Sequence, residues 1–179
     1  MNQPRKRLKR LELPGQARFL TFSCCHRLPL FGNDQIKACF AERLCWITAH
    51  MPVQLAGWVL MPDHVHLLIL PEVDRLTVPQ MLSALKRPVA RRVLDRWREL
   101  DAPILARLAD QAGAVHFWQA GGGYDRNIHT VDEFIEKLHY MHRNPVTRGL
   151  VTRAEDWLWS SARWYAGMAY DGPKIAQII

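Results

Sequence analysis

The feature that most constrains the fold is a pair of apolar segments joined by two turn-forming residues. Val53–Met61 and His64–Leu70 are both typical of β-strands, and Pro62-Asp63 between them is a favourable turn pair. So short a connection joins neighbouring antiparallel strands, because parallel strands need a crossover of a dozen or more residues. The sequence therefore predicts a β-hairpin and disfavours an all-parallel, doubly wound sheet.

Hydrophobic periodicity and capping residues predict the elements around this hairpin. Pro88 falls inside the longest predicted helix, so we expect a kink or a break there. The second hairpin strand is apolar on both faces beyond its histidines, which indicates a central strand. In chain order we predict a strand at 18–25, a helix from Asn33 or Asp34 to about His50, the hairpin, a helix over 78–100, a strand near 115–119, and a helix from Thr130 to Asn144. This order favours an α+β fold with an antiparallel sheet.

Length and composition favour one folded domain. The 179 residues, 49% of them hydrophobic, can bury one substantial core and are few for two. We assign residues 1–14 to a flexible basic arm and residues 15–179 to a single domain. No apolar run approaches the length of a membrane span, and the basic N-terminus lacks the apolar core of a secretion signal. A cytoplasmic location without membrane contact is the default expectation.

The formal charge of +7 is concentrated in two segments. Residues 1–10 contain five basic side chains and no acidic one, and residues 86–98 contain six basic side chains and one acidic one. This distribution suits a polyanionic partner such as nucleic acid. Solvated charge on a tail and on an exposed helix is the competing interpretation.

His64 and His66 are the first candidates for a chemical site. Positions i and i+2 of a strand point to one face, so both imidazoles project together, close enough to share one cation. They stand at the start of a predicted central strand, directly after a turn, where a site is both rigid and reachable. On spacing alone, two histidines that merely line a sheet are the competing interpretation.

Tyr140 is the second candidate. It lies in a predicted helix that begins with the capping-box spacing of Thr130 and Glu133. The apolar stripe of this helix passes to one side of Tyr140, which weakens the alternative that the ring is simply core. Asn144 lies four residues on and therefore on the same helical face. Its competing role is to end the helix before Pro145.

Several motifs, in their order and spacing, carry a family resemblance. The longest are MPDHVHLL at 61–68 and YMHRNPVTRGLV at 140–151, and shorter ones are FWQ at 117–119, YDR at 124–126 and WLWSS at 157–161. With these motifs the chain resembles the IS200-like tyrosine transposases, and more closely their domesticated branch, the REP-associated tyrosine transposases. The resemblance covers roughly residues 15–165.

The resemblance implies a fold, an activity and a site. The implied fold is a ferredoxin-like or RRM-like antiparallel sheet of four to five strands, with helices packed mainly on one face. Proteins of this family are commonly dimeric. The implied activity is metal-dependent nicking and strand transfer of hairpin-forming single-stranded DNA through a 5′-phosphotyrosine. His64 and His66 match the paired ligands of the family's HUH motif, and Mg²⁺ or Mn²⁺ is the implied cofactor. Tyr140 matches the catalytic tyrosine. Asn144 matches the polar position that completes the metal site, where insertion-sequence members usually carry Gln.

Given a DNA substrate, the basic segments and two motif residues become candidate DNA contacts. These are Arg5, Lys6, Arg7, Lys86, Arg87, Arg91, Arg92, Gln119 and Arg126. Two alternatives remain open beside the transposase interpretation. One is a DNA-binding protein or repressor of the same fold that has lost catalysis. The other is a metal-dependent hydrolase that uses the histidines without a covalent step.

Overall fold

The structure is a computed structural model that describes residues 15–72, 74–121 and 123–177. The predicted basic arm, with Arg5, Lys6 and Arg7, lies outside the described residues. The strands are β1 (Arg18–Ser23), β2 (Val53–Leu60), β3 (His64–Pro71) and β4 (Tyr124–Asn127). The helices are α1 (Asp34–His50), α2 (Val78–Glu99), α3 (Ile104–Leu108), α4 (Val131–Thr147) and α5 (Ala162–Tyr165). Within the described ranges, no helix has the length and apolar character to cross a bilayer.

The predicted hairpin is confirmed. β2 and β3 pair antiparallel, and the amide of Met61 donates to the carbonyl of His64 across the turn at 2.8 Å. The strand order is β2-β3-β1-β4, so β3 is a central strand, as its apolar character on both faces indicates. β1 pairs antiparallel with both β3 and β4, and its Thr21 stands opposite His66.

Alternate residues of the strands enter two apolar clusters, one on each face of the sheet. On one face, Leu20 and Leu67 pack with the apolar residues of α1 and α2. On the other face, Phe19 and Leu68 pack with Phe134 and its neighbours on α4. The fold class is the expected α+β antiparallel sheet, with α4 covering part of the second face. His64, His66 and Leu68 are alternate residues of β3, so their side chains point to the same face of the sheet. Both histidines therefore lie on the face that α4 covers.

The fourth strand is not at 115–119, where the sequence pattern placed it. Those residues make only isolated bridges, and Phe117 is buried in the core instead. The edge strand is β4, whose Tyr-Asp-Arg-Asn sequence alternates between exposed and half-buried positions and carries no apolar signal. Gly123 lets β4 begin beside β1, because its φ is +70° and a Cβ there would collide with the carbonyl oxygen of Thr21.

Pro88 does not break its helix: α2 is continuous from Val78 to Glu99. A proline at this position removes the amide that would bond to the carbonyl of Ala84. Arg43 on α1 supplies the replacement, since its Nε donates to the Ala84 carbonyl at 2.8 Å. Arg43 thus supplies the hydrogen-bond donor that the Ala84 carbonyl would otherwise lack.

α4 begins at the predicted residue but is capped differently and runs further. The Thr130 hydroxyl accepts from the amide of Glu133 at 3.1 Å, while the Glu133 carboxylate accepts from the amide of His129, one residue before the cap. The helix then passes through Pro145 and ends at Thr147. Asn144 is therefore an interior residue of α4, and ending the helix is not its role.

Candidate active site

An open cavity of about 400 Å³ lies on the α4 face of the sheet. β1, β3, β4, α4 and the turn after β1 all contribute side chains to it. The cavity is lined by Phe19, Thr21, Arg27, His64, His66, Tyr124, Lys137, Tyr140, Asn144 and Arg148. The structure thus brings together the four residues for which the sequence suggested chemistry, although 74 to 80 positions separate the histidines from the α4 residues.

The two histidines converge through their outer ring nitrogens. Each is buried, with 3% of its surface exposed, and their Nε2 atoms lie 3.0 Å apart. Nδ1 of His64 is 2.7 Å from the Asp63 carboxylate, and Nδ1 of His66 is 2.7 Å from the Thr21 hydroxyl. Partners at Nδ1 fix the orientation of each ring and leave Nε2 as the atom that can bind a metal.

The spacing of the two Nε2 atoms suits a shared cation. Two ligands held at right angles, each about 2.1 Å from one ion, are separated by about 3.0 Å. The observed separation of 3.0 Å between His64 and His66 matches this geometry, and at this distance one Nε2–H can also donate to the other Nε2. Among the described residues, no group of three or more His, Cys, Asp or Glu side chains is arranged to hold a metal. A cation here would therefore draw its other ligands from amide, water or substrate oxygens.

Burial favours the neutral form of both imidazoles. Burial, and after it the charge on neighbouring His64, lowers the pKa of His66 to about 3. Burial also lowers the pKa of His64, although the hydrogen bond that its ring donates to the Asp63 carboxylate opposes the shift. The positive charges of Arg148 and Arg27 add to the lowering at both rings. Neutral imidazole is the form that binds metals, so both rings are in the protonation state that a metal ligand requires.

Asn144 is the candidate for a third protein ligand. Its side chain is half-buried at the cavity, and its Nδ2 donates to the carbonyl of Tyr140 at 2.8 Å. Because this bond uses the amide nitrogen, Oδ1 is the atom that can meet a cation or a water. The donor set of two imidazoles and one amide oxygen can hold a divalent cation and leaves coordination positions open for substrate.

Tyr140 stands beside the histidine pair and not in the core. Its side chain is 53% exposed, and its ring centroid is 5.8 Å from that of His66 and 6.2 Å from that of Phe19, edge-on in both cases. The neighbouring residues Leu138 and Met141 point into the sheet and are buried. Tyr140 therefore presents an accessible phenol at the cavity that holds the imidazoles.

Three cations at the cavity were missed by the sequence analysis. They are Arg27, Lys137 and Arg148. Lys137 lies three residues before Tyr140 on the same helical face, and Arg148 directly follows α4, so helical spacing was a usable signal for these two. Arg27 follows β1, and no local pattern indicates that it turns toward β3.

The predicted DNA contacts near this face are engaged with protein groups. Arg126 on β4 forms an ion pair with Glu133 at 2.7 Å. Gln119 accepts a hydrogen bond from the amide of His26 through its side-chain oxygen at 3.0 Å. Gln119 thus supports the turn that carries Arg27, in addition to any contact with DNA.

The predicted contacts on α2 lie on the opposite face of the sheet from the cavity. The Lys86 ammonium sits 5.2 Å and 5.3 Å from the ring centroids of Phe22 and Trp118. Arg92 pairs with Glu42 on α1 at 2.9 Å. Arg87 and Arg91 are exposed on the same helix. The structure does not bring these four cations to the histidine–tyrosine cavity, so a DNA contact there would form a separate surface.

Fold and cavity together define a class: a small α+β protein with two converging imidazoles and a tyrosine beside cations that suit a phosphate. Comparison with known proteins gives the family. The family described as "Transposase IS200 like" matches residues 19–137, about two thirds of the chain. The matched segment contains His64 and His66 and stops three residues before Tyr140. The chain belongs to the IS200-like transposases, a family of enzymes that cut and join DNA.

Two solved structures are similar to this chain. A REP-associated tyrosine transposase bound to a REP hairpin is 19% identical, with a TM-score of 0.59 over 100% of this chain and 94% of that one. A candidate transposase from Deinococcus radiodurans is 18% identical, with a TM-score of 0.45 over 80% of this chain and 97% of that one. The first likeness confirms the fold. No curated protein sequence matches the chain.

Proposed function

We propose that this transposase nicks and rejoins hairpin-bearing single-stranded DNA, with Tyr140 as the covalent nucleophile. The observation that carries the proposal is the convergence of His64 and His66, Nε2 to Nε2 at 3.0 Å, with the Tyr140 ring 5.8 Å from that of His66. A cation-binding pair beside an accessible phenol is the arrangement that a metal-assisted attack on a phosphodiester requires. His64, His66 and Asn144 would hold the cation.

The chemistry assigns a role to each group. Mg²⁺ or Mn²⁺, if bound by these residues, would withdraw negative charge from the non-bridging phosphate oxygens. The Tyr140 phenol oxygen forms a bond to phosphorus, and the bond from phosphorus to the 3′ oxygen breaks. The phenolic proton leaves to solvent, to which the half-exposed ring is open, and the departing 3′ oxygen takes up a proton. The products are a 5′-phosphotyrosine and a free 3′-hydroxyl.

Rejoining is the reverse of this step. A 3′-hydroxyl attacks the phosphotyrosine, a new phosphodiester forms, and Tyr140 is released. The energy of the cut bond is conserved in the covalent intermediate, so the transfer needs no ATP. An exposed tyrosine on α4 suits this exchange, because an incoming strand can reach the linkage from solvent.

Hairpin DNA is proposed as the substrate on two grounds. The structural neighbour with the same fold was solved bound to a REP hairpin. The cations Arg27, Lys137 and Arg148 surround the cavity, where they suit a nucleic-acid backbone. The dimer implied by the family resemblance stays a prediction.

The proposal is tested by trapping the covalent intermediate. The protein is incubated with Mn²⁺ and a hairpin-bearing single-stranded oligonucleotide, labelled at its 3′ end in one sample and at its 5′ end in another. We expect the 3′ label to migrate with the protein on a denaturing gel, because the downstream fragment is linked through its 5′ phosphate. The 5′ label should appear on a shorter fragment that is free of protein.

Substitution of the nucleophile separates the competing functions. Tyr140→Phe should abolish both the adduct and the short fragment. Tyr165→Phe is the matched control, because Tyr165 lies outside the cavity and its hydroxyl donates to the carbonyl of Ala56 at 2.7 Å. Cleavage that persists at the normal rate in Tyr140→Phe would instead identify a hydrolase without a covalent step. DNA binding without cleavage in the unsubstituted protein would identify a catalytically silent DNA-binding protein.

A further inference from the structure

The turn after β1 carries two adjacent residues in an uncommon backbone conformation. His26 and Arg27 both have φ of +53°, in the left-handed region that residues with a side chain rarely occupy. Two such residues in succession cost free energy and persist only where the surrounding structure fixes them. Backbone strain of this kind is concentrated at functional sites, so the turn is a candidate for one.

Three hydrogen bonds from distant segments fix this turn. The amide of Cys24 donates to the carbonyl of Asp63, and the amide of Cys25 donates to the carbonyl of Phe117, both at 2.8 Å. The amide of His26 donates to the side-chain oxygen of Gln119 at 3.0 Å. The turn is therefore held between the β2–β3 hairpin and the segment that follows α3.

Fixing the turn places Arg27 at the cavity. Its side chain is 64% exposed, and its Nε is 3.7 Å from the carboxylate of Asp63, the residue that also bonds to His64. Arg27 lines the same cavity as both histidines and Tyr140. Its guanidinium keeps most of its donors available, because a single long contact to Asp63 engages Nε alone.

We propose that Arg27 binds a phosphate of the DNA strand in the cavity, and that Gln119 is a positioning residue that holds the Arg27 turn in its strained conformation. A guanidinium matches two phosphate oxygens with two parallel N–H donors, which suits the exposed and oriented side chain. The proposal rests on the DNA substrate of the proposed function, but not on its covalent step.

The test measures binding without cleavage. In a Tyr140→Phe background, the affinity for the hairpin-bearing oligonucleotide is measured by fluorescence anisotropy over a range of salt concentrations. Adding Arg27→Ala should weaken binding about tenfold or more, the size of one lost charged hydrogen-bonding contact. The slope of log affinity against log salt should also become shallower by about 0.7, the value for one phosphate contact on a single strand.

Arg75→Ala is the matched control. Arg75 is similarly exposed, at 70%, and lies past the end of β3 that is remote from the histidines, paired with Glu72. The Arg75→Ala substitution should leave both the DNA affinity and its salt dependence unchanged. If Arg27→Ala behaves like Arg75→Ala, the phosphate contact is wrong, whether or not the unsubstituted protein forms a covalent adduct. If no adduct forms but Arg27→Ala still reduces the slope, the covalent mechanism fails and the Arg27 contact stands.

A double-substitution cycle tests the role of Gln119. Gln119→Ala should lower affinity but keep the salt slope, because Arg27 remains and must now be ordered on binding. Combined with Arg27→Ala, it should lower affinity no further, since a positioning residue acts only through the group it positions. Additive losses would show that Gln119 contacts DNA by itself, and an unchanged affinity in Gln119→Ala would show that the turn is held without it.

Discussion

At the scale of single residues, two neighbouring side chains orient the histidine pair. Thr21 and Asp63 each engage Nδ1 of one histidine, at 2.7 Å in both cases. Without these partners the rings could rotate or exchange tautomers, and the two Nε2 atoms would no longer converge. Asp63 immediately precedes His64, whereas Thr21 reaches His66 only because β1 pairs with β3.

The contribution of Thr21 can be measured as metal affinity. Thr21→Val keeps the branched shape but removes the hydroxyl, so Mn²⁺ affinity measured by calorimetry without DNA should fall about tenfold or more. Thr48→Val on α1 removes a hydroxyl that donates to the carbonyl of Cys45 and should leave Mn²⁺ affinity unchanged. Equal affinities for the two variants would mean that the Thr21 contact does not support the metal site.

At the scale of elements, α4 has one face in the core and another at the site. Phe134, Leu138 and Met141 are buried against the sheet. Lys137, Tyr140 and Asn144 follow the spacing of three and four residues along the adjacent face and line the cavity. Packing of the apolar face therefore sets the position of the proposed nucleophile relative to β3.

A second element-scale relation links α1 and α2 through Pro88. Arg43→Ala should lower the free energy of unfolding by about 1–3 kcal/mol, because the part-buried carbonyl of Ala84 loses its donor. In a Pro88→Ala background the restored amide can donate to that carbonyl, so the same substitution should be less destabilising. The measurement is urea unfolding of the four proteins.

Comparing Arg43→Ala in the presence of Pro88 and in the Pro88→Ala background separates the hydrogen bond to Ala84 from the other contacts of Arg43. Its guanidinium also lies 3.9 Å from the ring centroid of Trp46, but this contact is lost equally with and without Pro88. An equal loss of stability in both backgrounds would show that Arg43 does not replace the missing amide of Pro88.

At the scale of the whole molecule, buried neutral histidines couple folding to pH. His142 on α4 is 8% exposed and hydrogen-bonds to the Ser161 hydroxyl at 2.8 Å, which in turn accepts from the amide of Trp58 on β2. Burial, and then the charge of His139, lowers the pKa of His142 to about 4. His142 thus joins α4 to β2 and the C-terminal segment, and its burial favours the neutral form of the ring.

Stability should therefore fall in mild acid. A histidine in the unfolded chain titrates near pH 6.5, so below that pH the unfolded state binds protons that folded His142 and His66 exclude. The stabilisation is complete above about pH 6.5 and is lost as the pH falls toward 4, by roughly 1.4 kcal/mol per pH unit for each histidine. Denaturant unfolding at pH 7.5, 6 and 5 measures this slope, and an equal stability at pH 7.5 and 5 would contradict it.

The sequence alone determined the features that depend on short-range pattern. The turn pair fixed the β2–β3 hairpin, strand periodicity placed His64 and His66 on one face, and helical spacing kept Tyr140 off the core stripe. Each of these features depends on residues that are close together in the chain, within one or two turns of a helix or a few positions of a strand. The family motifs then linked the two segments into one expected site.

Only the tertiary structure decided where the remaining parts lie. β4 has no apolar pattern and exists because β1 offers an edge to which it can bond, and α2 continues through Pro88 because Arg43 approaches from another helix. Arg27 reaches the cavity because contacts from two distant segments hold its turn in a strained conformation. These features depend on residues far apart in the chain, whose contacts no local pattern encodes. The histidine pair was therefore predictable from sequence, whereas the groups that orient it and surround it were not.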